Sequence, residues 1–394
     1  AQHLVRPHPV HPFSDAYFRR DAALPPSFSQ TAHAIATGLG SASGGGLVPF
    51  FGGVDTPVGP GPGELSLTDL ISFWKNPARG WLKALEVASE EDEDDDRDLD
   101  DAPIDLGPLE EYSARDKAIA AKLDSSRDGD PKVMGARLRA GRRLPPGALG
   151  ELTWERVCLE CDPLASALRR LLPRIRIESL KHPIPGGGHL VGDCRWIPGS
   201  ESDPTGRLVE YRPGGYDKKP QHQLGPFLRT LLMTVCLDSP VECQVLGLDC
   251  PSGWILPSIA PERARTLLEG FLEGHRLGRH RPLCHAPETG STLAEALKED
   301  PGTRDLGPAR EEWNDSPPGE GLHPAARLAW RDSDPFSEER VDDWIRWSRL
   351  VSRPLSEWWD SRVTNAEAAA GATGSPSGGT GRGKRPAKTK TSRP

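Results

Sequence analysis

The chain carries one arrangement of side chains that could handle a metal ion and a phosphodiester. Asp193 lies one residue after the glycine in Gly192-Asp193-Cys194-Arg195, and Glu210 opens Glu210-Tyr211-Arg212. Two carboxylates on neighbouring strands can hold Mg²⁺, and a lysine two residues beyond the second can help the attacking water lose its proton. Here that position is Arg212, and a guanidinium stays charged in a protein, so it fixes a charge but passes no proton. The active pattern also sets its first Asp three residues after the glycine, where this chain has Arg195, a cation that repels a metal. Strand alternation puts offsets one and three on the same side, which keeps Asp193 in consideration. Asp193 and Glu210 therefore read as degenerate positions of such a site, with Glu178 the other carboxylate that a live one could use.

Other familiar signals fail. Cys158-x-x-Cys161 has metal-ligand spacing, but no second pair completes it and it falls in a helical stretch, so the two read as packed thiols. Gly378 to Gly383-Lys384 nearly spells a phosphate loop, yet Arg385 replaces the required Ser or Thr and no strand precedes it. Nucleophile-elbow, HExxH and dinucleotide-binding fingerprints are missing. His3, His8, His11 and the Cys284-His285 pair read as ordinary packing residues. The expectation is no metal and no cofactor in this chain.

The strands that must present Asp193 and Glu210 stand out as a change of period from 3.6 to 2. Residues 174–178 alternate charge with Ile, Gly186-Gly187-Gly188 is a turn, and His189–Ile197 and Arg207–Arg212 read as a second and third strand. Helices flank this meander. Ser66-Leu67-Thr68-Asp69 has the form of a capping box before Leu70, Phe73 and Trp74, and Asn76-Pro77 caps a second helix through Trp81, Leu82 and Leu85. Further helices are expected at 106–123, through Trp154, Val157 and Leu159 with a break at Pro163, over 223–237, and from Pro261 to Gly278. A last one is capped by Ser337, with Val341, Trp344, Ile345 and Val351 inward. A strand at 241–248 and a segment around Trp254 complete the set. The fold class is α/β, a central mixed sheet flanked by helices.

The composition adds loose chain to this body. Of 394 residues, 42 are Gly and 40 Pro, concentrated in a linker at 38–63 and at the C-terminus. The formal charge of −8 conceals a local asymmetry. Residues 90–101 hold ten acids and one Arg, and residues 374–394 six bases and no acid. Like-charge repulsion makes 90–101 a solvated surface loop, and 359–394 reads as a disordered basic tail. The seven cysteines, an odd number spread unevenly, fit a reducing cytoplasmic compartment better than a disulfide framework. No apolar run is long enough for a membrane span. The chain opens Ala1-Gln2-His3-Leu4 without an initiator Met, which suggests a fragment of, or a mispredicted start for, something longer.

Several segments in order resemble the RecC family, the gamma subunits of bacterial exodeoxyribonuclease V, in their C-terminal region. They are HPVHPFSDAYF (8–18), LTDLISFWKNPARGWLKALEV (67–87), LGPLEEYSARDKAIAAKL (106–123), LRAGRRLPPGALGELTWE (138–155), GRLVEYRP (206–213) and PERARTLLEGFLEGHRLG (261–278), with a weaker match at 326–351. The resemblance implies that 1–37 ends a preceding helicase-like domain and that 64–358 is an inactivated PD-(D/E)xK nuclease-like domain. It implies duplex splitting, strand guiding and contact with RecB-like and RecD-like helicase subunits, which would supply the ATP and Mg²⁺ chemistry. The Chi-reading channel would lie outside these residues. The Gly-rich stretch, the acidic run and the basic tail depart from the family pattern.

Three readings follow. A non-catalytic DNA-handling subunit in double-strand break repair would grip the phosphate backbone with Arg195, Arg212, Lys218, Lys219 and Arg229. An active structure-specific nuclease would use Glu210 with Asp193 or Glu178. A protein-interaction scaffold would never touch DNA and would use tryptophans such as Trp344, Trp347, Trp358 and Trp359 as anchors, residues that otherwise belong in a core.

Overall fold

The computed structural model describes residues 14–18, 29–30, 32–33, 37, 63–87, 105–124, 130–199, 205–217, 219–315, 319–331 and 333–365. Lys218, the acidic run and the basic tail beyond 365 lie outside them, as do the phosphate-loop-like Gly378–Lys384 and most of the linker. The chain divides into two compact units, residues 1–56 with 331–333, and 57–330 with 334–394. The first contributes a 3-10 turn at Asp15–Tyr17. The second holds the sheet.

Strand β1 (Glu64–Ser66) leads directly into helix α1 (Leu67–Lys75). The junction is the capping box: Ser66 Oγ accepts the Asp69 amide at 2.9 Å and donates to the Asp69 carboxylate at 2.7 Å. Asn76 Oδ1 then accepts the Arg79 amide at 3.0 Å and starts α2 (Pro77–Ala84). Helices α3 (Pro108–Leu123), α4 (Pro131–Ala140) and α5 (Gly147–Leu171) precede β2 (Arg176–Pro183) and β3 (His189–Ile197). The expected break at Pro163 does not occur, and α5 runs through it. The carbonyl that Pro163 deprives of a partner belongs to Leu159, which is 70% exposed, so water can satisfy it.

Strands β2 and β3 form a hairpin over Gly186, Gly187 and Gly188, all at φ near +100°, a conformation open to glycine. After β4 (Gly206–Tyr211), helix α6 (Pro220–Leu237) crosses to β5 (Val241–Gly247), which lies parallel to β4, and β6 (Cys250–Leu256) returns antiparallel. Helices α7 (Pro261–Gly278), α8 (Pro287–Glu299), α9 (Gly307–Asp315) and α10 (Pro324–Ala329) follow. The chain closes with α11 (Val341–Trp347), a π-turn over Ser348–Ser352, and α12 (Arg353–Asp360). Pro354, which lacks an N–H, sits just after the wide turn. Ser337 makes no side-chain cap; a 3-10 turn at Glu338–Arg340 takes its place. Order continues past 359, where β7 (Val363–Thr364) adds an edge to β6.

The sheet is mixed and forked. One edge of β3 pairs with β2 from His189 to Trp196. On its other edge β1 pairs in parallel with 189–191, and β4 pairs antiparallel with 196–197. Residues 192–195 lie in the fork between them. There the start of α1 presses on the strand so closely that a Cβ on Gly192 would stand 2.7 Å from that of Leu67.

Two cores lie on the two faces. Leu190, Cys194, Leu208, Cys243, Val245 and Leu256 face α1, α6, α7 and the C-terminal helices. Ile197, Val209 and Leu246 face α3 and α5. The four C-terminal tryptophans belong to the interior, Trp344 and Trp347 almost wholly enclosed and Trp358 and Trp359 nearly so. Surface anchors are therefore not what they supply. No described helix is long and apolar enough to cross a membrane.

Candidate functional site

The two degenerate carboxylates stand on opposite faces of the sheet. Trp196 of β3 is paired with Leu208 of β4, and both belong to the α1/α6 side. Alternation carries Cys194 and Glu210 to that side and sends Asp193 and Arg195 to the other, with Ile197. Asp193 is exposed and accepts a hydrogen bond from Ser179 Oγ on β2 at 2.7 Å. Glu178 shares the face of Glu210, but it is in register with Cys194, so the whole of β3 stands between the two acids.

Glu210 is instead committed to α6. Arg229 donates to its Oε2 at 3.2 Å, with the Glu side chain 15% and the Arg side chain 26% exposed. Burial holds the carboxyl above its ordinary range, against the pull of Arg229 and then Arg195. The same carboxylate, after burial, helps keep the Cys194 thiol protonated, with a pKa pushed up to about 12. A divalent ion would need this acid open to solvent and a second one beside it. Among the described residues no group of three or more His, Cys, Asp or Glu side chains could hold a metal. The residues present do not fit the Mg²⁺ of a nuclease centre.

The basic candidates do not gather into one patch. Arg195 is exposed and lies over the Tyr211 ring at 5.5 Å. Arg212 follows β4 and is held from three sides: it donates to the Gly215 carbonyl at 2.8 Å and lies 5.5 Å from the Tyr112 ring and 5.7 Å from the Tyr216 ring. The loop that presents Tyr216 is pinned by Asp249, whose carboxylate accepts the Tyr216 amide at 2.7 Å and the Asp217 amide at 3.1 Å. Lys219, at the start of α6, pairs with Glu288 at 3.1 Å. Arg229 is spent on Glu210.

Sequence reasoning missed two residues near Arg212. Lys75, at the end of α1, lines the same cavity as Arg212, Lys219 and His222. Desolvation, then Arg212 and Arg229, hold its amine below the ordinary value. Burial, then Arg212, Lys75 and Lys219, bring His222 down to about 4. His285, read from sequence as an ordinary packing residue, is only 3% exposed. Its ring meets Trp74 edge to face at 5.3 Å, and neither nitrogen has a partner. No spacing rule links residues 75, 222 and 285, because they meet only when α1, α6 and the approach to α8 converge.

The family model for the RecC C-terminal domain matches residues 62–298, more than half of the chain and the span that includes every strand but β7. The chain belongs to the RecC C-terminal domain family. Two curated relatives agree. It is 28% identical over 229 residues to the RecBCD enzyme subunit RecC of Escherichia coli, covering 58% of this chain and 19% of that protein. It is 30% identical over 162 residues to the RecBCD enzyme subunit RecC of Mycolicibacterium smegmatis, covering 40% of this chain and 14% of that one. The aligned stretch is thus at most about a fifth of either relative. Within the family span lie Asp193, Glu210 and all the described basic candidates. The seven cysteines are all free, and at the CxxC pair burial raises the Cys161 thiol to about 11 and raises Cys158 as well.

Proposed function

We propose that this chain is a non-catalytic, DNA-handling part of a gamma-type subunit in an ATP-dependent helicase–nuclease, of the kind named RecBCD in its relatives. It would help divide a duplex and guide strands during double-strand break repair in the cytoplasm. RecB-like and RecD-like partners would carry the ATP and Mg²⁺ chemistry. The fold reads as a nuclease of the PD-(D/E)xK class that has lost its centre: the strands that carry Asp193 and Glu210, β3 and β4, are neighbours in the sheet.

One observation carries the reading. The acid that such a nuclease needs, Glu210, is neutralised by Arg229 and separated by the sheet from Asp193. The alternative of an active nuclease therefore has no centre to work with.

The test uses the complex assembled with its helicase partners. Arg195→Glu and Lys219→Glu should together weaken fork-DNA binding by about 10-fold and lower the slope of log affinity against log salt by roughly 1 for each phosphate no longer neutralised. Unchanged affinity and slope would mean that these side chains do not grip DNA and would favour the scaffold reading.

A further inference from the structure

The cavity beside Arg212 has a charge balance that the strand-handling reading does not use. Its volume is about 720 Å³, within the usual range for a small-molecule site. Five charged side chains line it, and two of the three cations have no anionic partner. Lys219 is answered by Glu288 at 3.1 Å. Glu320 is taken up by the start of α8, accepting the Glu288 amide at 3.0 Å, the Thr289 amide at 2.8 Å and Thr289 Oγ1 at 2.7 Å. That leaves the Lys75 ammonium and the Arg212 guanidinium without a carboxylate. Arg212 is fixed by its bond to Gly215 and its two tyrosines, so its charge is presented without freedom to swing away.

The same cavity is lined by buried nitrogens that lack partners. His222 Nδ1 and both nitrogens of His285 are enclosed and unbonded. An unsatisfied buried polar atom is costly and rare in a native fold. His222 lies close enough to Arg212 and Lys75 for both to depress its ring, and with His285 on the same lining the cavity has cations and nitrogens to spare for a further anion. His323, the remaining titratable wall residue, lies 3.3 Å from Asn76 Nδ2.

We infer that this cavity binds a phosphate group carried by a nucleotide, with Lys75, Arg212, His222 and His285 facing its oxygens. Converging donors from separate elements suit a tetrahedral oxyanion better than a planar carboxylate, which offers two oxygens in one plane. The volume beyond one phosphate leaves room for the group attached to it, along the wall formed by Trp313 and Trp330. A free nucleotide and the phosphate of a DNA strand share this chemistry. The inference stands apart from the strand-handling proposal, since a free nucleotide could occupy the cavity of a chain that never meets DNA.

The experiment follows the histidine ring resonances of the full chain by NMR, with His222→Gln and His285→Gln assigning them. The chain is titrated with inorganic phosphate at constant ionic strength, then with a short oligonucleotide with and without a 5′-phosphate. Saturable shifts of the His222 and His285 rings are expected, together with protonation midpoints that rise from about 4 and about 3 as the anion stabilises the imidazolium. Lys75→Ala should weaken binding by about 10-fold. A nucleoside 5′-monophosphate titrated alongside decides the source: tighter binding of the oligonucleotide than of the monophosphate, weakened when the 5′-phosphate is absent, supports a strand, and tighter binding of the monophosphate supports a free nucleotide. Absence of ring shifts, shifts reproduced by chloride, or binding unaffected by Lys75→Ala would overturn the inference.

Discussion

Glu210 of β4 and Arg229 of α6 form an ion pair at 3.2 Å on the sheet face where a metal-dependent nuclease would need an open carboxylate. Such a pair is worth less than its Coulomb energy, because both charges have given up water, but losing one partner strands the other. Arg229→Met should therefore destabilise the domain by about 3 kcal/mol, and adding Glu210→Leu should restore most of that loss. Denaturant unfolding of the four proteins in the cycle measures it. Additive effects would mean that the pair is incidental.

The same pair sets an expectation for metal. Mg²⁺ or Mn²⁺ at millimolar concentration should neither raise the melting temperature nor produce cleavage of nicked, forked or single-stranded DNA by the purified chain, since a ligand stabilises only what it binds. Cleavage that disappears in Glu210→Gln would reverse the assignment of Glu210.

Much of this was legible in the residues. The capping box at Ser66, the Asn76-Pro77 start and the limits of β3 appear where local chemistry put them, because a cap or a glycine turn is decided within a few residues. Register was less legible. Ile177 belongs to an alternating run yet is exposed, since the helices on its side of the sheet do not extend over β2 and the inward residue of that strand is Leu180. Strand β1 is short, and its parallel pairing with β3 is set by the fork rather than by its own sequence. The opposite facing of Asp193 and Glu210 needed the Trp196–Leu208 register, which no single strand encodes. The cavity was hidden for a similar reason, its walls being separated by up to 255 positions in the chain.

The Ser66 cap provides a local check on the fork. Its hydroxyl satisfies the Asp69 amide at 2.9 Å, and the Asp69 carboxyl is held below its ordinary value chiefly by its bond to that hydroxyl. Ser66→Ala should cost about 1 kcal/mol, and Ser66→Asp much less. If thermal unfolding of the Ala variant matches the parent, α1 is anchored by its buried side chains Leu67, Leu70, Ile71, Phe73 and Trp74 without the cap.

Buried neutral histidines should make the domain sensitive to acid. Burial lowers His285 to about 3, and burial with nearby cations lowers His222 and His275 to about 4. The unfolded chain takes up these protons from about pH 6.5 downward, whereas the folded chain resists until pH 3 to 4. Their contribution is therefore fully present above pH 6.5 and is lost as pH falls, about 2 kcal/mol by pH 5 for His285. Glu210 and Glu320, whose folded pKa values are raised by burial, act in the opposite direction at the acid end. Their protonation on folding offsets part of the loss, so the His285 contribution is isolated by comparing a variant with the parent. His285→Phe keeps an aromatic ring against Trp74 and removes the titrating group. Its stability should fall less steeply between pH 7 and 5 than that of the parent, and parallel curves in chemical denaturation would show that His285 is protonated at no cost.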